Sequence, residues 1–330
     1  MGTTVELRPT GPRKTEPSFR HHYYFHHHWP LDIAAVTIPQ MDLDAYFSRI
    51  GYEGSPRQDE QTLSDIHAAH LMAIPYENLD IQLYEPKTLD EARFEERIIG
   101  QTRGGWCYEM NGLLSMALRR LGFQVDRVGG AAARAIVGDS AIGNHMVLIV
   151  HLDGRQVVAD VGLGDGPLYP FPLEERRWDE DGFEFGLERI EGGWWRFDNH
   201  PNGLAPSFDF NEIPRELDWY GPQCSALQAD ESALFVALSM TFRRDRGRIR
   251  ALREFNYIEI ERGKREERII ESFEDYKETL EPLIDFELGD GIERLWERVS
   301  KRVAGREEAS RQAAETAAVL PTPPSASSEK

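Results

Sequence analysis

Arg103-Gly104-Gly105-Trp106-Cys107-Tyr108-Glu109-Met110-Asn111, followed directly by Gly112-Leu113-Leu114, is the stretch on which the reading of this chain turns. From Met110 the apolar residues Leu113, Leu114, Ala117, Leu118 and Leu121 recur at helical spacing, and Gly122 is a natural stop. Two glycines thus lead into a helix, with Cys107 at or near its N-terminus. There the unpaired N–H groups and the positive end of the helix dipole favour a thiolate, the nucleophilic form of cysteine. Glycines beside it let a bulky thioester approach the backbone closely. A free cysteine is otherwise most often a small buried hydrophobe, so the rest of the chain has to supply its partners.

Downstream, His145 opens an apolar run to Leu152, Asp153-Gly154 makes a turn, and a second run spans Gln156 to Val161 with Asp160 near its end. Asp-Gly between two such runs is a strong hairpin signal. With a two-residue loop, Leu152 pairs with Arg155 and paired residue numbers sum to 307, so Asp160 faces Val147. Val147 is two residues from His145 and on the same sheet face, which sets Asp160 diagonal to His145 and within reach of an imidazole N–H. One bulge residue would move Asp160 to the other face. Gly162, Gly164 and Gly166 follow at alternate positions and suit a loop whose N–H groups accept phosphate, although a plain turn has the same composition.

The 330 residues, 40% apolar, are enough for a core of two or three modules. No apolar run approaches the roughly 20 residues a spanning helix needs, and the first thirty residues lack the apolar centre of a secretory signal, so a soluble, cytoplasmic protein is expected. Two cysteines, Cys107 and Cys224, exclude a disulfide framework. The formal charge of −19 opposes a phosphate backbone, so no nucleic-acid partner is expected. His26, His27 and His28 lack the spaced ligands of a closed site, and no metal is assigned.

Periodicity divides the chain into five parts. Residues 1–40 read as a mobile extension and 304–330 as a disordered tail, frayed helix at its start. Residues 41–122 form a helical module, with helices near Asp42 to Ile50, Leu63 to Ala73 and Ala92 to Ile98, and carry Cys107. Residues 123–231 form an antiparallel β module with strands at Gln124 to Val128, His145 to Leu152, Gln156 to Val161 and Trp194 to Phe197, and carry His145 and Asp160. Residues 232–303 mix helices (Ala233 to Met240, Phe273 to Leu280, Ile292 to Val303) with strands (Tyr257 to Arg262, Arg268 to Glu271). The fold class is α+β.

The segment at 103–111 resembles the Arg-Gly-Gly-x-Cys-x-Glu-x-Asn signature of the arylamine N-acetyltransferases. Tyr46-Phe47-Ser48-Arg49-Ile50-Gly51-Tyr52 and Ile74-Pro75-Tyr76-Glu77-Asn78-Leu79 resemble that family's N-terminal region, and His145-Met146 and Asp160-Val161-Gly162-Leu163-Gly164 fall where it keeps its His and Asp. The likeness covers roughly 41–303 and loosens after Pro170, where Cys224-Ser225-Ala226-Leu227 replaces a Ser-Thr-His-Pro-like stretch. It implies an N-terminal helical bundle, a central β-barrel and a C-terminal α/β lid around a cysteine-protease-like core. It also implies ping-pong transfer of acetyl from acetyl-CoA, as co-substrate, to an aromatic amine or hydrazine in xenobiotic metabolism. The catalytic residues implied are Cys107 as nucleophile, His145 as acid and base, and Asp160 as its orienter, with Gly162 and Gly164 as candidates to hold the cofactor's phosphates. Arg103 and Glu77 are expected to form a buried clamp, Glu109 and Asn111 to bind backbone near the nucleophile, and Cys224 to be packing. The same residues would also serve another acyl-CoA donor, an amide synthase, or a Cys-His-Asp hydrolase.

Overall fold

Asp42 and Asp59 start the helical region for the same reason: each carboxylate accepts a backbone N–H of the first helical turn, at Ala45 and Thr62. The computed structural model describes residues 41–203 and 205–319; the N-terminal extension with its histidines and the chain end from 320 lie outside them. Helix α1 (Leu43–Ile50) ends at Gly51, in the left-handed conformation. Helix α2 (Glu60–Ala73) ends at Ile74, held extended ahead of Pro75. A two-residue strand, β1 (Tyr76–Glu77), and a single turn, α3 (Leu79–Gln82), follow. Helix α4 (Glu91–Glu95), capped by Asp90, passes into a π-helical turn over Glu96–Gly100, and α5 (Cys107–Arg120) comes next.

The next eight strands form one antiparallel sheet: β2 (Gln124–Ala132), β3 (His145–Leu152), β4 (Arg155–Ala159), β5 (Phe171–Pro172), β6 (Arg176–Glu180), β7 (Phe183–Ile190), β8 (Trp194–Asp198) and β9 (Ser207–Pro214), in the order β5-β4-β3-β2-β9-β8-β7-β6. The turn α6 (Arg134–Val137) lies between β2 and β3. The sequence reading expects a barrel. The pairing instead leaves β5 and β6 as edges, and closure is made by side chains: the rings of Phe171 and Trp178, one from each edge, lie 4.9 Å apart, and Phe171 and Phe185 both stack on Phe197. The sheet is thus curled, its edges joined by aromatic packing rather than by a ladder.

After the turns α7 (Gly221–Ala226) and α8 (Leu234–Ala237), four strands run as a meander: β10 (Met240–Asp245), β11 (Arg248–Arg253), β12 (Asn256–Glu261) and β13 (Lys264–Ile269). Strand β1 from the helical region extends this sheet beside β10, pairing Tyr76 with Phe242 and Glu77 with Thr241. The expected helix from Ala233 to Met240 is a single turn. Asn78 Nδ2 takes the carbonyls of Phe235 and Leu238 at 2.9 and 2.7 Å, and its Oδ1 takes the Met240 N–H at 2.9 Å, which pulls the chain straight into β10.

Helices α9 (Phe273–Leu280) and α10 (Gly291–Val319) are the last two helices among the described residues. Helix α10 continues past Ala304 to Val319, through the start of the tail, where the sequence reading expects a frayed helix; Glu308 binds Arg311 at 2.6 Å and Gln312 at 2.8 Å, the neighbour spacings of a helix. The main cluster of buried apolar side chains draws on all three regions, from Tyr46 and Leu114 through Val150 and Phe197 to Phe242, and a smaller one lies between α9, α10 and β11. Among the described residues no helix is long and apolar enough to cross a membrane.

Candidate active site

Helix α5 begins at Cys107 because Trp106, its N-cap, is extended and donates its N–H to Glu109 Oε2 at 3.3 Å. Gly104 and Gly105 lie against the segment before them: Gly105 exchanges backbone hydrogen bonds with Pro75 and Glu77, and a Cβ on Gly104 would sit 2.4 Å from the Pro75 carbonyl oxygen. The need for glycine at 104 is therefore close approach of two backbone segments, not approach of a thioester.

The hairpin follows the predicted register. Asp153 and Gly154 both have positive φ, 52° and 75°, which a two-residue turn of this hand requires, and the pairs run from Leu152↔Arg155 to Leu148↔Ala159. Pairing stops one residue before Asp160, whose Oδ2 accepts from His145 Nε2 at 2.6 Å. Its Oδ1 accepts from Asn111 Nδ2 at 2.7 Å and from the Gly162 N–H at 2.8 Å. Burial works against the Asp160 charge, but His145 and these donors outweigh it and hold the carboxyl below the usual carboxylate range. Burial likewise disfavours the His145 charge; Asp160, and then the hydrogen bond to Cys107, raise it to about 10.

Cys107, His145 and Asp160 are all buried, and the Cys107 thiol also lies 3.7 Å from the Asn144 carbonyl oxygen. With Nε2 turned to Asp160, Nδ1 is the nitrogen that faces the sulfur. The His145 ring packs on Phe208 with centroids 5.0 Å apart. The three side chains therefore come together from α5, the start of β3 and the end of the β4 segment. The arrangement can move a proton between sulfur and imidazole while the carboxylate fixes the ring.

Other expectations change. Gly162 donates its N–H to Asp160, and a Cβ there would lie 2.5 Å from Asn111 Nδ2 and 3.0 Å from Cys107 Cβ, so its place is set by packing beside the sulfur rather than by phosphate. Gly164, at φ 83°, backs onto the Tyr76 ring and stays the candidate of the two. Arg103 does not clamp Glu77. It pairs with Asp80, its guanidinium over the Phe286 ring, while Glu77 Oε2 accepts the Leu79 N–H at 2.6 Å. Glu109 and Asn111 bind backbone as expected, and Asn111 also grips the Asp160 carboxylate. Cys224 is buried, which pushes its thiol up to about 12.

Three residues escape the sequence reading. Lys87 is buried between Asp80 and Glu109, at 3.0 and 2.9 Å, in a network that Arg97 and Arg103 complete. Its signal is that it is the only lysine between Lys14 and Lys264 in an arginine-rich chain. Asp80 follows directly on the quoted 74–79 segment. Tyr76 lies near Cys107, Asp165 and Asp160; burial first, then these negative groups, raise its hydroxyl well above the ordinary range. A cleft of about 740 Å3 bounded by Thr102, Phe273, Phe286 and Ile292 contains none of the three residues, so side-chain geometry rather than open volume locates the chemistry.

A model of the N-acetyltransferase family matches residues 59–292. The chain is 40% identical to arylamine N-acetyltransferase 1 of Bos taurus over 136 residues, 41% of this chain and 47% of that protein, so it spans about half of that relative's length. It is 31% identical to the pineal gland isozyme NAT-3 of Gallus gallus over 244 residues, 67% of this chain and 83% of that one. Its structure superposes on Mycobacterium marinum arylamine N-acetyltransferase in complex with CoA with a TM-score of 0.70, at 25% identity, covering 79% of this chain and 99% of that one.

Proposed function

Because this chain belongs to the arylamine N-acetyltransferase family, we propose that it transfers acetyl from acetyl-CoA to an aromatic amine or hydrazine through a thioester on Cys107. The observation that carries the reading is the 2.6 Å bond between His145 and Asp160 beside a cysteine at the first residue of α5.

In the first half-reaction the Cys107 sulfur, its proton held by His145, attacks the acetyl carbonyl carbon. The carbon–sulfur bond to CoA breaks, and the departing thiolate takes the proton from the imidazolium. In the second half the amine nitrogen attacks the Cys107 thioester, His145 accepts the proton the nitrogen loses, and the Cys107 thiolate leaves. Backbone N–H groups near Cys107 would hold the oxyanion of each tetrahedral intermediate. Asp160 stays ionised, keeps the Nε2 proton on its own side and stabilises the imidazolium. CoA enters as a substrate; Gly164 is the candidate for its phosphates, and Arg103, Asp80, Lys87 and Glu109 hold the nucleophile's loop in place. The chemistry needs Cys107 reduced, which a cytoplasmic setting supplies.

Incubation with acetyl-CoA should add about 42 mass units, one acetyl group, to the peptide containing Cys107, and an arylamine should discharge it. An adduct lost to water but indifferent to amine would mark a hydrolase. No adduct with acetyl-CoA, together with one from a longer acyl donor, would move the donor assignment.

A further inference from the structure

The nine residues from Asp160 to Leu168 leave β4, pass beside Cys107 at Gly162 and back onto Tyr76 at Gly164. Their far end is gripped on two sides. The Leu168 N–H donates to Glu180 Oε1 at 2.6 Å, and the Leu168 carbonyl accepts from His67 Nδ1 at 2.9 Å. Near that end Arg244 Nε donates to the Gly166 carbonyl at 3.2 Å. Glu180 and Arg244 belong to the strand layers, whereas His67 comes from the middle of α2. Its ring is 1% exposed and feels the charge of Asp160, while its Nε2 has no hydrogen-bond partner among the described residues, so the bond to Leu168 is the ring's tie to the loop.

We propose that His67 is a positioning residue for the acyl transfer: its imidazole staples the 160–168 loop to α2 and so sets where Asp160 meets His145 and where Gly162 meets Cys107. Burial keeps this ring neutral, driving its proton affinity down to about 4. A neutral imidazole has one N–H, and the Leu168 carbonyl, a pure acceptor, assigns that proton to Nδ1. The titratable groups around the ring are Asp160 and, one turn along α2, His70, itself buried and bound to the Tyr46 hydroxyl at 2.9 Å. Around the His145–Asp160 pair they are Cys107 and Tyr76.

The inference rests on the acetyl-transfer reading, and the test separates the two. Wild-type protein is first mixed with acetyl-CoA; absence of the Cys107 adduct there refutes the reading itself. Given the adduct, single-turnover acylation is followed against pH in His67→Leu, which fills the space without a donor, and in His67→Asn, whose amide sits where Nδ1 sits. The expected result is a 10- to 100-fold slower acylation in His67→Leu, of the order a small displacement of reacting groups produces, with the alkaline limb at lower pH because Asp160 supports the imidazolium less well. His67→Asn should recover most of the rate and the limb. Equal rates and limbs in all three proteins, or an equal loss in both variants with no movement of the limb, would overturn the proposal. Should His67→Leu fail to fold, His67→Gln, with its donor one bond farther out, must move the limb the same way by a smaller amount; an unmoved limb refutes the staple.

Discussion

Replacing Asp160 by Asn tests the site most severely, because the carboxylate is accepting on both oxygens: from His145 Nε2 on one, and from Asn111 Nδ2 and the Gly162 N–H on the other. An amide offers one acceptor. If its oxygen serves Asn111 and Gly162, its NH2 faces His145 and forces the ring proton onto Nδ1, the nitrogen that must receive the Cys107 proton. If its oxygen serves His145, its NH2 meets two donors. Either way the negative charge that does most to raise His145 is gone, and burial then opposes the imidazolium with only Cys107 in its favour. Fewer thiolate–imidazolium pairs then form at neutral pH, which slows acylation. The same exchange in a serine-protease triad slows turnover about ten-thousandfold, through the same tautomer reversal. Stopped-flow release of CoA under single-turnover conditions reads the acylation step, and circular dichroism shows that the variant is folded. A folded Asp160→Asn protein acylating within tenfold of wild type would refute the assigned roles.

Three further outcomes follow from the geometry. Acylation should hold on the alkaline side until the His145 proton is lost near pH 10; because the folded-state affinity is raised above 6.5, the stability contributed by this group is full below pH 6.5 and fades as pH climbs toward 10, which urea titrations across that range measure. Gly162→Ala should slow acylation about a hundredfold and lower the melting temperature, since its Cβ would press on Asn111 and on the Cys107 backbone; an unimpaired rate would mean the loop has room. Lys87→Met should cost about 3 kcal/mol of unfolding free energy, because Asp80 and Glu109 each lose a buried cation; a change under about 0.5 kcal/mol would show that Arg97 and Arg103 suffice.

The hairpin was legible because one dipeptide, Asp153-Gly154, fixes loop length, and loop length fixes every later pair up to Ala159. Helix α5 was legible for a similar local reason, an apolar stripe between glycines. Partner choice inside the protein was not. Glu77 and Asp80 are both carboxylates, three residues apart, and only the turn α3 decides that Asp80 points to Arg103 while Glu77 folds back on Leu79. Strand β1 has two residues, too few for any period, and owes its existence to β10, 164 residues downstream if counted from Tyr76 to Met240. The end of α8 depends on the distant amide of Asn78, and the curl of the large sheet on which aromatic rings meet across its edges.

Strand β1 is hydrogen-bonded to Gly105 on one side and to β10 on the other, so the segment leading to the sulfur and the C-terminal sheet share one ribbon of backbone. All three proposed reacting residues lie before residue 161, and a truncated polypeptide could encode every one of them. Such a fragment would keep the chemistry's letters and lose its grammar: with β10 absent, the strip that braces the Arg103–Trp106 bend would have an open flank, and Asn78 would face water in place of three peptide groups. The last third of the protein is in this sense part of the nucleophile's foundation, not an appendage to it.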